Sequence, residues 1–383
     1  MRTPKGNQKM IRNHNRGLVI NLLRTSGPMS RTDLARHTGL APSALTRLIR
    51  TFLAEGVVEE IGKTESNGGR RAILISFNPH YAYTIGVKVE RSRLLAARVD
   101  LAGQICARHA IILEDAPQPE EVIDQIAEAV AAVRQGRTLG AGIAVSGFVD
   151  AARGIDLFSP LLEWRDVPLG EPLARVLELP VWVENDVNAL TLAECWHGAG
   201  HRFRNFVCIT VGEGIGAGVV IGGELYRGAF GGAGEVGHIT IDLDGPRCRC
   251  GEHGCLEVYA SDRFLEEEAK RLDLPGIPTL VAAARAGESY AQDVFSQMGR
   301  SLGIGAKNVV NLLNPEAIVL GGERMDTADL FLPSFEEAVR HHSFPEEAKQ
   351  LEIIPAELGP DGFLIGAATL VTAEFFRLPT ERM

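Results

Sequence analysis

No segment of this chain is apolar for the length a membrane-spanning helix needs, and its basic N-terminus lacks the hydrophobic stretch of an export signal. A cytoplasmic protein that inserts into no membrane is expected. Cysteine is sparse, six among 383 residues. Disulfides belong to oxidising compartments, so bridges are not the first reading of those six. Composition is unexceptional: 45% apolar and 23% charged residues are the proportions of an ordinary globular protein. The length exceeds what one compact core covers, so two or three domains are expected. The front of the chain is short of acidic residues. Residues 1–77 hold 13 Lys/Arg against five Asp/Glu, a balance of +8 that leaves −18 for the remainder. A basic head on an acidic body points the head, and not the body, at a polyanion.

The head reads as a winged helix-turn-helix. Ile11, Leu18, Val19, Leu22 and Leu23 recur at helical spacing, and Gly27-Pro28 ends that helix. Ser30 ahead of Arg31-Thr32-Asp33 is a capping-box-like start for a second helix over 31–37. Gly39 supplies the positive φ of a sharp helix–helix turn. A third helix over 42–53 turns Leu45, Leu48, Ile49, Phe52 and Leu53 inward. Ser43, Ala44, Thr46, Arg47 and Arg50 are left on its other face. Small, hydroxyl and arginine side chains at the start of such a helix suit a major groove, where arginine reaches guanine or phosphate. Strand-like runs at 57–61 and 72–77 enclose a polar loop that ends Asn67-Gly68-Gly69-Arg70-Arg71. That loop is a wing able to lay Arg70 and Arg71 along a minor groove. A basic helical interaction module would share the charge, but the order of helices, turn and wing favours double-stranded DNA.

Three of the six cysteines fall within eight residues: Cys248-Arg-Cys250-Gly-Glu-His-Gly-Cys255. Two thiols on one tight turn, with Gly251 and Gly254 folding the chain back to the third, suit one tetrahedral ion. His238, ten residues upstream, is the natural fourth ligand. Structural zinc is the reading; buried free thiols or a disulfide are the alternatives.

Beyond residue 81, strands and helices alternate. Runs at 83–89, 94–99 and 105–113 form a strand meander, followed by a helix over 120–134 and a buried strand at 141–145. A second set opens at 206–210 and 217–221 and continues with a long helix over 292–313 and a strand at 317–320. Two halves of βββαβα order suggest a duplicated α/β fold with a cleft between its lobes.

Glu235-Val-Gly-His238, followed by the cysteine segment and Leu256-Glu257, resembles the signature of the ROK family of bacterial sugar kinases and sugar-responsive repressors. The resemblance runs from about Tyr81 to the C-terminus. It implies an α/β fold class: a winged helix-turn-helix over 1–80, then a two-lobed, actin-like (ribonuclease H-like, hexokinase-type) ATPase fold over 81–383. Lobe one would take about 81–185 plus the C-terminal helix, and lobe two about 186–364 with the zinc loop.

The resemblance also implies a sugar site. Asn185 and Asp186 at a strand end, with Glu235, His238 and Glu257, form a ring of donors and acceptors suited to several hydroxyls. Read locally, Asn185-Asp186 is simply a helix cap. In the family's kinases this Asp takes a proton from the sugar, and a first hairpin of Asp-x-Gly-Gly-Thr admits the phosphates. Here that run is Lys88-Val89-Glu90-Arg91-Ser92, and Glu213 stands among the glycines of the second phosphate loop. Phosphoryl transfer depends on positioned charge, so kinase activity is not expected. Leu161 replaces the Asn of the family's Ser-Pro-Asn-Leu-x-Trp segment, which contacts the sugar. Repressors of the family carry a DNA-binding head and its kinases do not. The resemblance therefore implies a repressor of carbohydrate-utilisation genes, a homodimer or homotetramer, modulated by a monosaccharide or its phosphate. An active sugar kinase with a fused head is the alternative. Control by a protein partner, such as a sugar transporter subunit, is a third reading.

Overall fold

The computed structural model describes residues 8–63, 72–114, 117–342 and 350–377. The expected wing tip, with Arg70 and Arg71, lies outside them. The head comprises α1 (Gln8–Ser26), β1 (Met29–Ser30), α2 (Arg31–Thr38), α3 (Pro42–Glu55), β2 (Val58–Lys63) and β3 (Ile73–Phe77). Ser30 Oγ accepts the Asp33 N–H at 3.1 Å and so caps α2, while Gly39 (φ 67°) ends it in the left-handed region that favours glycine. Leu34, Leu45, Ile49 and Phe52 meet Val19, Leu23 and Ile75 in a dry core. A two-residue strand is too short to leave a sequence pattern, yet β1 pairs with β3 and completes a sheet of order β1-β3-β2.

The body contains the same topology twice. Its first half is β4 (Tyr83–Val89), β5 (Arg93–Asp100), β6 (Ile105–Ile112), α4 (Pro119–Val133), β7 (Thr138–Val145), a small insert of β8 (Phe148–Asp150), β9 (Ile155–Ser159) and β10 (Trp164–Pro168), then α5 (Gly170–Leu177), β11 (Val181–Asn185) and α6 (Asp186–His197). The second half is β12 (Phe206–Val211), β13 (Ile215–Ile221), β14 (Glu224–Tyr226), α7 (Glu257–Ala260), α8 (Asp262–Arg271), α9 (Ile277–Arg285), α10 (Ser289–Leu313), β15 (Ala317–Gly321), α11 (Ala328–His342), β16 (Glu352–Pro355) and α12 (Gly362–Phe376). The sheets run β6-β5-β4-β7-β11 and β14-β13-β12-β15-β16. Each is an antiparallel meander extended by two parallel strands, as the repeated βββαβα order implies. The insert forms its own antiparallel sheet, which the sequence reading left unassigned.

The last helix returns across the first sheet. A Cβ at Gly86 on β4 would run into the Leu364 carbonyl, and one at Gly142 on β7 into that of Ala367. Glycine there lets α12 lie directly on the strands. The far ends of α6 and α12 reach the head. Trp196 and Phe376 join the head's core with Ala82 and Leu101, and the Arg24 guanidinium stands 4.1 Å from the Trp196 ring centre. Asn21 Nδ2 donates to the Phe376 carbonyl at 3.0 Å. Head and body thus share one packed joint. Among the described residues no helix is long and apolar enough to cross a membrane.

Candidate functional site

Helix α3 presents the face anticipated for a groove. Ser43, Ala44, Thr46, Arg47 and Arg50 are exposed, while the opposite stripe is buried. No ion pair holds Arg47 or Arg50 to another described residue, so their charge faces outward.

The ligand atoms of His238, Cys248, Cys250 and Cys255 all lie within 4.8 Å of one another. Cys248 Sγ is 3.6 Å from His238 Nδ1, and Cys250 Sγ is 3.6 Å from Cys255 Sγ. Ligands about 2.0–2.3 Å from a central ion at tetrahedral angles stand roughly 3.5–3.8 Å apart, so the cluster fits one small soft cation. Gly251 (φ 103°) and Gly254 (φ 65°) make the reversal that brings Cys255 back. Burial, followed by the neighbouring thiols, pushes Cys255 up to about 12. A bound cation reverses that preference and deprotonates coordinating thiols.

In front of the cluster, four of the five expected sugar-site residues converge. Glu235 is raised above the usual carboxylate range, first by burial, then by the charges of Glu257 and Asp186, while His238 pulls the other way. Glu257 opens α7 beside the second glycine loop; a Cβ at Gly214 would sit 3.2 Å from its Oε2. Burial pushes Asp186 up to about 6 against the pull of Lys88, and its Oδ1 accepts the Val187 N–H at 2.9 Å. Asn185 is largely spent on the backbone. Its Oδ1 caps α6 by accepting the Asn188 N–H at 3.0 Å, and its Nδ2 donates to the Gly147 carbonyl at 3.0 Å. One amide hydrogen remains for a ligand.

Sequence reasoning missed two supporting groups. Glu184 is buried and takes the Arg227 Nε at 2.6 Å and Asn188 Nδ2 at 3.2 Å, pinning the start of α6. Glu323 follows the Gly321-Gly322 turn and reaches Lys88 from the other lobe. The Lys88 ammonium is buried 3.1 Å from Glu90 Oε1, 3.4 Å from Glu323 Oε1 and 3.6 Å from the Phe363 ring centre. Burial works hardest against its charge, yet Asp186, Glu323 and Glu90 outweigh burial and raise it. Leu161 is half-buried between β9 and β10. Ser146 Oγ, just past β7, lies 3.0 Å from Ser159 Oγ at the end of β9 and ties the insert to the main sheet.

The profile of the ROK family matches residues 84–374, and that of the IclR helix-turn-helix domain matches residues 18–62. The xylose repressor of Bacillus spizizenii is 31% identical over 377 residues, 96% of this chain and 97% of that protein. The chain belongs to the ROK family. Among solved structures, a ROK transcriptional regulator described as a homologue of the Escherichia coli Mlc protein aligns with TM-score 0.82 at 30% identity, over 96% of this chain and 97% of that one. A ROK glucokinase from Streptomyces griseus, solved with glucose and AMPPNP, aligns with TM-score 0.67 at 34% identity. It covers 98% of itself but only 75% of this chain. The regulator matches head and body together, whereas the kinase matches one ROK body. With its helix-turn-helix head, the chain is a DNA-binding transcriptional regulator of the sugar-responsive ROK class.

Proposed function

We propose that this regulator represses carbohydrate-utilisation genes, two heads of a homodimer (or of a homotetramer) gripping a palindromic operator. A monosaccharide or its phosphate in the interlobe cleft changes that grip. The head spans 1–80 and the sensing body 81–383. The observation that carries the reading is the convergence of Asp186, Glu235, His238 and Glu257 in a body whose core continues into a head with exposed arginines. Hydroxyls are donors and acceptors at once, and this set offers three carboxylates and an imidazole to receive them.

The three cysteines and His238 hold zinc. When bound, it ties the loop between Glu235 and Glu257 to one geometry. His238 faces the cluster through Nδ1 and keeps its other nitrogen for the ligand. Arg47 and Arg50, with Ser43, Ala44 and Thr46, enter the major groove, and Arg70 and Arg71 follow the minor groove.

Phosphoryl transfer is absent in this reading. A polyphosphate would meet the carboxylates of Glu90 and Glu323 around an ammonium they already neutralise. Asp186 then accepts a hydroxyl hydrogen bond and abstracts no proton. Ligand closure shifts an existing balance between lobe arrangements, and the shared joint carries that shift to the head.

A mobility-shift titration with the protein's own promoter region tests the reading, with release expected for one sugar of a monosaccharide and sugar-phosphate panel. A shift that no sugar alters counts against the effector and for control by a protein such as a transporter subunit. ADP release in a coupled assay across hexoses would revive the kinase alternative.

A further inference from the structure

Three phenyl rings keep surface in solvent beside the site, although the Arg165 guanidinium already lies 4.7 Å from the centre of the Phe158 ring. Phe148 follows Gly147, whose carbonyl receives the Asn185 amide at 3.0 Å. Phe158 precedes Ser159, which is buried and 3.0 Å from Ser146 Oγ. Phe230 begins the glycine-rich run to Glu235. Phe148 and Phe158 are register partners on β8 and β9, so their rings share a face. The loop of the other lobe meets them. Gly231 passes so close to the Val149 carbonyl, and Gly232 to the Phe148 ring, that neither admits a Cβ. Phe230 is 90% exposed, Phe158 37% and Phe148 36%.

We propose that these rings form a second sugar subsite, so that a short sugar chain ending in the monosaccharide unit binds more tightly than that unit alone. The terminal unit enters the pocket of Asp186, Glu235 and Glu257, and the next unit stacks on Phe148 and Phe230. This rests on the reading of the cleft as a sugar site. A pyranose carries hydroxyls around its rim and C–H bonds on its faces. Laid on an aromatic ring, it buries apolar surface while its hydroxyls stay in water. The inner pocket has the opposite character, carboxylates that take hydroxyls out of solvent. One ligand with both needs is a short chain of sugars, one unit deep and one at the mouth. Leu161, half-buried on the β9–β10 turn, adds apolar contact where the family's sequence pattern has an amide.

Area argues for a small occupant. A phenyl side chain buries roughly 150–250 Å², so the exposed fractions of these three amount to roughly 300 Å². A standard protein interface takes about 800 Å² from each partner. The rings are sized for a sugar face, and a second copy of the chain would need much more.

Calorimetric titration of the full chain with paired probes tests the proposal: xylose, glucose and N-acetylglucosamine, each against its β-1,4-linked disaccharide. The expected result is one pair in which the disaccharide binds at least about tenfold more tightly, a difference of about 1.4 kcal/mol. Phe230→Ala should bring that disaccharide down to the affinity of its monosaccharide, while Phe230→Trp keeps the preference. Equal affinity within every binding pair overturns the second subsite and leaves the sugar reading standing. Binding of no sugar of either length overturns the sugar reading, and the subsite with it. A preference that survives Phe230→Ala, or a change of oligomeric state by Phe230→Ala in sedimentation, assigns the rings elsewhere and also overturns the proposal.

Discussion

Replacing Lys88 by methionine tests the electrostatics of the cleft most directly. Methionine keeps most of the length and the apolar stem of the side chain and removes its charge and its N–H donors. The loss comprises ion pairs to Glu90 (3.1 Å) and Glu323 (3.4 Å) and the contact with the Phe363 ring, and it leaves Asp186, Glu90 and Glu323 facing one another. Breaking a buried pair from one side costs about 3–5 kcal/mol. Glu323 is half in solvent and Glu90 retains Arg93, so screening brings the cost below that range, to roughly 2–3 kcal/mol at neutral pH.

The sign of the pH dependence follows from Asp186. Its folded value, about 6, lies above the ordinary 3.8, so its contribution favours the fold in acid and is lost as pH rises through about 6. Without the ammonium it moves higher still. The deficit of Lys88→Met should therefore be largest near pH 7.5 and shrink towards pH 5. Differential scanning fluorimetry of both proteins across that range measures it, with a shift of roughly 2–4 °C expected at the neutral end for a chain of this length. A deficit that does not vary with pH, or a variant as stable as wild type, would refute the reasoning.

Effector affinity should weaken below about pH 6, where Asp186 takes up a proton and loses acceptor capacity, and titrations from pH 5 to 8 should be flat for Asp186→Asn. Cys255→Ser should lose the metal by elemental analysis and, with it, the thermal shift induced by ligand, because the loop presenting Glu235 and Glu257 is no longer tied. Arg47→Ala and Arg50→Ala should each weaken operator binding about tenfold in fluorescence anisotropy, with the melting temperature unmoved because both side chains are exposed. Gly86→Ala should destabilise the body by about 3 kcal/mol or more in chemical denaturation, since its Cβ collides with the Leu364 backbone of α12.

Local chemistry was readable in the sequence, and contacts between distant segments were not. The Ser30 cap and the Gly39 turn involve neighbours within a few residues, so composition at fixed offsets reveals them. The same holds for the cysteine cluster, spaced by glycines, and for the exposed face of α3. Asn185 shows how a local reading can be the stronger one. Its neighbour Asn188 claims the side-chain oxygen, and Gly147 claims one of its hydrogens. The pairing of Lys88 with Glu323 spans 235 positions, and no periodicity points from one to the other. The strand β1 and the sheet of β8, β9 and β10 also escaped, because segments of two to five residues do not establish an alternation.

The joint between head and body bears on how the protein can be dissected. Trp196 closes a helix that begins at Asp186, and Phe376 closes the one that lies on the first sheet; both rings are roofed by Arg24. Cutting the chain after the head would strip that roof and expose two aromatic side chains to water, so a truncated body should self-associate. Cut on the other side, the head would lose part of its own interior. The two parts share one interior, so the orientation of α3 against the body depends on side chains that the body supplies.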